Sequence, residues 1–245
     1  VRFPLALALP FALALPFALA LTTTASRAGE TAVNLTVGPL IGTHAEDGSR
    51  DSIASEPVPI LALSHRESFT ELFVEGLPVA PSIASTSTNQ SISTHLTFEN
   101  LLLRGYAFHD RLSLGVGETI YNQSSTYEPG GAIDASRVVG GRFEIAGRPL
   151  ANRNLRIAFD LVPVLHGLVL PSYPSRPGSR YEPEVERGTQ TEFDIGYRLN
   201  RGTAQFAYGV RYINYVSFFT RTGELSDRNA GVLPYATYGV RVGRP

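Results

Sequence analysis

The chain has no cysteine, no methionine, no tryptophan and no lysine; all 21 basic residues are arginine. Without cysteine there is no disulfide framework, thiolate metal site or cysteine nucleophile. Arginine throughout, with no lysine, reads as codon bias in a GC-rich genome. Charge is also scarce. Only 18% of the 245 residues are charged and the formal net charge is −1. A general nucleic-acid binder needs a basic excess that is missing here.

The one long apolar run lies at the start. Residues 4–21 read PLALAL, PFALAL, PFALAL, preceded by Arg2 and followed by TTTASRA. A positive end, an apolar run and a small-residue site make a secretory leader. Ser26 and Ala28 occupy the small positions before a cut at Gly29. Pro10 and Pro16 argue against an uncleaved spanning helix, because each frees a backbone carbonyl. The reading is a signal peptide over 1–28 and one domain over 29–245.

That domain alternates apolar and polar residues with period two, as a strand does. Thr191, Phe193, Ile195, Tyr197 and Leu199 share one face; Glu192, Asp194 and Arg198 share the other. Leu155, Ile157, Phe159, Leu161 and Leu165 oppose Arg156, Asp160 and His166. Val139, Phe143 and Ile145 oppose Arg142, Glu144 and Arg148. Phe206, Tyr208, Val210 and Tyr212 oppose Gln205 and Arg211. Ala236, Tyr238, Val240 and Val242 oppose Thr237 and Arg241.

The strands read at 31–42, 57–64, 68–76, 94–107, 111–123, 136–148, 153–169, 188–200, 203–218 and 230–243. Many are longer than the average soluble strand of about five or six residues. Short links at 65–67, 108–110, 149–152 and 201–202 alternate with longer ones at 43–56, 77–93, 124–135, 170–187 and 219–229. Such alternation, with mixed charge at mid-strand on the polar face, is expected of a transmembrane barrel with a polar interior. The fold class is all-β: an antiparallel up-and-down transmembrane β-barrel of ten strands. Eight is the alternative if the hairpin across 57–76, with Pro57 and Pro59, is a loop insertion. Leu112, Leu114 and Val116 share a face with Glu118, and a bulge at Gly115 or Gly117 would turn Glu118 inward.

Over 31–243 the chain resembles small bacterial outer-membrane β-barrels, in architecture and not in any family motif. The resemblance implies a Gram-negative outer-membrane location, with outer-membrane lipid and the barrel-assembly machinery as partners and no nucleic acid. After Tyr238, Val240 and Val242 the chain runs Gly243-Arg244-Pro245, where such barrels typically place a terminal aromatic residue. Ten-stranded outer-membrane proteases place carboxylates and histidines at the outer rim; no strand here offers a paired match, so no catalytic residue is assigned.

The candidate site is the inward set Arg142, Glu144, Arg156, Asp160, Glu192, Asp194, Arg198, Arg211 and Arg241. Ten strands sit nearer the filled interior of an eight-stranded barrel than the channel of a sixteen-stranded one. Mixed signs favour mutual pairing. The set therefore reads as a lumen ion network that fills the barrel, leaving a structural or surface-interaction role to the outer loops. A narrow porin-like channel and an outer-membrane enzyme acting on lipid or protein are the alternatives, and a soluble periplasmic barrel lies outside them. His44 with Glu46, Asp47 and Asp51 matches no metal motif, and no cofactor is implied.

Overall fold

The computed structural model describes residues 29–46, 49–77, 82–87, 90–128, 131–171, 184–219, 222–223 and 225–243. The leader read over 1–28 and most of the 170–187 link lie outside the described residues. The strands are β1 (Glu30–Glu46), β2 (Ser49–Glu67), β3 (Thr70–Gly76), β4 (Ser82–Ser87), β5 (Gln90–Ala107), β6 (Leu112–Glu128), β7 (Gly131–Gly147), β8 (Leu155–Pro171), β9 (Glu184–Arg201), β10 (Ala204–Phe219) and β11 (Leu225–Gly243).

They form one antiparallel sheet, and β1 pairs with both β2 and β11, so the sheet closes on itself. β3 and β4 share one wall position. β3 pairs with β2 and β5 near the short turns, and β4 pairs with the same two strands further up. The wall therefore has ten positions. Both halves of the hairpin across 57–76 are in it, so the eight-strand alternative falls.

Alternation sets the two faces. On β9, Phe193 and Ile195 are each 41% exposed on the outside, while Glu192 (3%) and Asp194 (5%) are buried inside. Val33, Leu35, Leu103, Leu114, Phe143, Phe159, Val210 and Val240 are likewise exposed around the wall. A barrel in water would put such residues inward; this one is apolar outside and charged inside, the arrangement of a transmembrane barrel. Near the short turns, Tyr197 packs on Tyr208 and Phe206 on Tyr238 at centroid distances of 5.6 and 5.2 Å, as in an interfacial aromatic girdle.

The turns follow local chemistry. Ser68, Phe108, His109 and Asp110 adopt positive φ, and Gly202 (φ 61°) makes the β9–β10 turn without a Cβ penalty. At the opposite end, much of the links read over 43–56, 77–93 and 124–135 is strand. β1 continues to Glu46 and β2 begins at Ser49, and β6 continues to Glu128 and β7 begins at Gly131. These stretches are polar, so apolar periodicity did not mark them as strand.

Two details of face differ from the sequence reading. β5–β6 pairing runs unbroken from Ser91↔Glu128 to Ala107↔Leu112. No bulge occurs at Gly115 or Gly117, and Glu118 is exposed on the outer face. His166 also faces outward, not inward with Asp160. Against both neighbours, β8 carries one extra residue between Val162 and Leu165, at Pro163-Val164. Proline supplies no ladder hydrogen and belongs at such a bulge, which reverses the parity beyond it. A comparable shift occurs on β2 beside Pro57, where the Leu40 amide donates to Ser55 Oγ at 2.8 Å.

Candidate functional site: the charged lumen

Neighbouring strands lie about 4.8 Å apart, so long inward side chains reach two or more strands away. The lumen contacts use that reach. Arg142 on β7 is 2% exposed. Its Nη1 and Nη2 donate to Glu192 Oε1 and Oε2 on β9 at 2.9 and 2.8 Å, and its Nε donates to Asp160 Oδ1 on β8 at 3.0 Å. Nη1 also reaches Asn100 Oδ1 on β5 at 3.1 Å and Thr119 Oγ1 on β6 at 3.2 Å. One guanidinium thus ties five successive wall strands together.

Glu144 forms a second node. It accepts Arg104 Nε and Nη2 from β5, both at 2.7 Å, and Arg156 Nη2 from β8 at 2.9 Å. Bidentate arginine–carboxylate pairing of this kind is among the stronger charge-assisted contacts. Arg104 also lies 3.4 Å from Glu71 on β3 and stacks on the Phe73 ring at 3.8 Å. Tyr106 donates to the same Glu71.

A third node crosses the barrel. Arg211 on β10 reaches Glu75 on β3 at 3.0 Å, past the three wall strands β11, β1 and β2 that separate them. It also lies 3.5 Å from Asp194, which accepts the Tyr235 hydroxyl at 3.1 Å. Asn100 Nδ2 donates to Glu75 at 2.9 Å and so joins this node to Arg142.

Above the ions, on the loop side, apolar and aromatic side chains cluster inside the wall, with Gln190 and Ser217 buried beside them. Val58, Ile60, Leu77 and Leu233 form one buried cluster, with Leu40 and Phe98 against it. Val138 and Val162 form another, with Tyr121 and Tyr215 against it. Phe98–Tyr121 and Tyr121–Tyr215 ring contacts, with centroids 6.3 and 6.2 Å apart, bridge the two.

Of the nine residues singled out from the sequence, seven lie in the nodes: Arg142, Glu144, Arg156, Asp160, Glu192, Asp194 and Arg211. Arg142 and Glu144, two apart on one strand, take different partners. Arg241 faces inward at the turn-side rim, 3.3 Å from Glu30, apart from the nodes. The Arg198 side chain has no ion pair or hydrogen bond among the described residues. Glu71, Glu75, Asn100 and Arg104 were missed. Glu71 and Glu75 alternate with outward Leu72 and Val74, a signal present in TELFVEG. Arg104 follows three consecutive leucines, which hide the phase. The side chains of His44, Glu46, Asp47, Asp51 and His95 lie outside the described residues.

No family model and no curated protein matches the sequence. Among solved structures, the outer membrane protease OmpT from Escherichia coli is similar at 11% identity and a TM-score of 0.49, over 87% of this chain and 97% of that one. The translocator domain of the autotransporter NalP from Neisseria meningitidis is similar at 10% identity and a TM-score of 0.46, over 97% of this chain and 98% of that one. The CymD monoaromatic hydrocarbon channel is similar at 8% identity and a TM-score of 0.42, over 91% of each chain. None passes a residue role to this chain. The chain has the architecture of a small outer-membrane β-barrel, established by its closed wall, apolar exterior and charged lumen.

Proposed function

We propose that the protein is a closed outer-membrane barrel that serves as an anchor, with its loop-side strands as the surface offered to the outside. The supporting observation is that the lumen is crossed at two levels. The Arg211–Glu75 and Arg142 nodes span it. The Phe98–Tyr121–Tyr215 layer lies over them. An ion would have to displace paired charges and then pass an apolar constriction.

Strand length supports the second half of the reading. A membrane needs about 9–11 residues per tilted strand, whereas β8 has 17 and β11 has 19. Seventeen residues at the usual tilt rise about 43 Å against an apolar band of about 25 Å. Since the turn-side links are short, the surplus projects from the loop side. Outer-membrane lipid is the partner of the apolar belt, and the barrel-assembly machinery is the partner during insertion.

Conductance in planar bilayers tests the anchor reading. The refolded full chain is expected to give no stable single-channel current. A reproducible ohmic conductance whose ion selectivity changes in Arg142→Ala would make the protein a narrow channel instead.

A further inference from the structure

We infer that the turn-side mouth of the barrel is a phosphate-binding site built by Arg111, Arg148 and Arg198. A cavity of about 150 Å³ enters the lumen there and reaches the ion nodes, with all three arginines in its lining. At about 30 Å³ per water, it holds several waters or one tetrahedral oxyanion.

The three arginines lie on neighbouring elements: Arg111 just before β6, Arg148 just after β7, and Arg198 near the end of β9. The backbone holds them there, because the Arg148 amide donates to Arg111 O and the Arg198 amide to Asn154 O, each at 2.8 Å. Among the described residues, none of the three has a carboxylate within ion-pair distance. Arg111 Nη1 spends one long contact of 3.4 Å on Pro149 O. Arg198 is repelled by Arg148 and Arg156, with Glu71 the attractive charge nearby. Glu71 is already engaged by Arg104 and Tyr106. Among the described residues, every other lumen arginine is paired: Arg104, Arg142, Arg156 and Arg211 in the nodes and Arg66 and Arg241 at the rim.

Three guanidiniums around one cavity with no carboxylate partner among the described residues leave forks of donors largely unused, and phosphate oxygens match that geometry. The ion nodes and the apolar layer close the inner end, so the site is a blind pocket reached from the turn side. Two sources supply the chemistry, free inorganic phosphate and the headgroup of an anionic phospholipid at the membrane edge.

The test uses the refolded full chain in phosphatidylcholine nanodiscs at constant ionic strength, titrated with inorganic phosphate by calorimetry. Saturable binding at one site per barrel is expected, weakened about tenfold or more in Arg148→Gln and Arg198→Gln. Without phosphate, Arg198→Gln is expected to melt at or above the wild type, since it removes like-charge repulsion. Phosphatidylglycerol in the disc lowers the apparent phosphate affinity if the headgroup is the ligand, and leaves it unchanged if free phosphate is. Binding that does not saturate, or is equal in the variants, or an Arg198→Gln barrel that melts lower without phosphate, overturns the site. The measurement is independent of the closed lumen, because binding is read whether or not the barrel conducts.

Discussion

Arg211 and Glu75 are 136 positions apart in the chain and 3.0 Å apart in the lumen. The contact fastens opposite walls of the cylinder to each other. Arg211→Ala leaves Glu75 with Asn100 as its remaining described hydrogen-bond partner. The folded band on an unheated gel is expected to convert to the unfolded band at a lower temperature than in the wild type. Arg211→Lys should recover only part of the loss, since lysine makes a single-point contact.

The largest effect is expected at Arg142. Its removal strands the buried Asp160 and Glu192 together, and breaking a buried pair costs about 3–5 kcal/mol. Urea unfolding in lipid vesicles, followed by tyrosine fluorescence, should show Arg142→Ala less stable than Arg156→Ala, because the Arg156 side chain is 25% exposed against 3% for Arg142. Equal losses would mean that water fills the mid-lumen.

The outer face makes a separate prediction. Ile195 faces outward and Asp194 inward. Ile195→Arg places a charge on the lipid face, at a cost of about 2–4 kcal/mol near the midplane. Asp194→Asn keeps a polar group beside Arg211. Membrane fractionation should therefore show impaired insertion for Ile195→Arg and near-normal insertion for Asp194→Asn. Equal tolerance would count against lipid contact on this face.

Glu118 allows the reverse experiment. It is an outward carboxylate opposite Leu101 and Gly141. Glu118→Leu should stabilise the barrel by up to about 1–2 kcal/mol, since a carboxylate on the lipid face costs less than an arginine. A lower melting temperature in the variant would show that Glu118 meets a polar partner on the outside.

The apolar layer is tested by opening it. Tyr121 and Tyr215 pack against Val162, which is 0% exposed. The double change Tyr121→Ala, Tyr215→Ala should leave the ion nodes in place and remove the bridging rings. Raised leakage of small ions, without full channel openings, is expected in planar bilayers. No change in leakage would assign the seal to the ion nodes alone.

Much of this wall is legible in the sequence, for a physical reason. A strand bounded by lipid on one side and a filled lumen on the other must alternate, and TEFDIGYRL does so without a break. The partners inside are not legible in the same way. Glu192 finds Arg142 and Glu75 finds Arg211 only once the sheet closes, and nothing in the local pattern carries that distance. Arg104 was hidden because Leu102 turns inward between two outward leucines. Alternation carried straight through Pro163 puts His166 on the wrong face, because the bulge there reverses the parity. The cost of a lipid-facing charge argues for Glu118 inward, yet the pairing keeps it outside.

The extra residue at Pro163-Val164 has a practical side for anyone grafting onto this barrel. Below it, odd-numbered positions of β8 such as Ile157 and Phe159 face outward; above it, the even-numbered His166 does. The two halves of the strand thus keep separate rulers. A tag or cysteine label in the upper half should be positioned by counting from His166. A one-residue deletion at Pro163 would remove the bulge and let β8 alternate without a break, with Leu165 still opposite Gly188 and His166 opposite Arg187, so that one ruler serves the whole strand and neither half exchanges its faces.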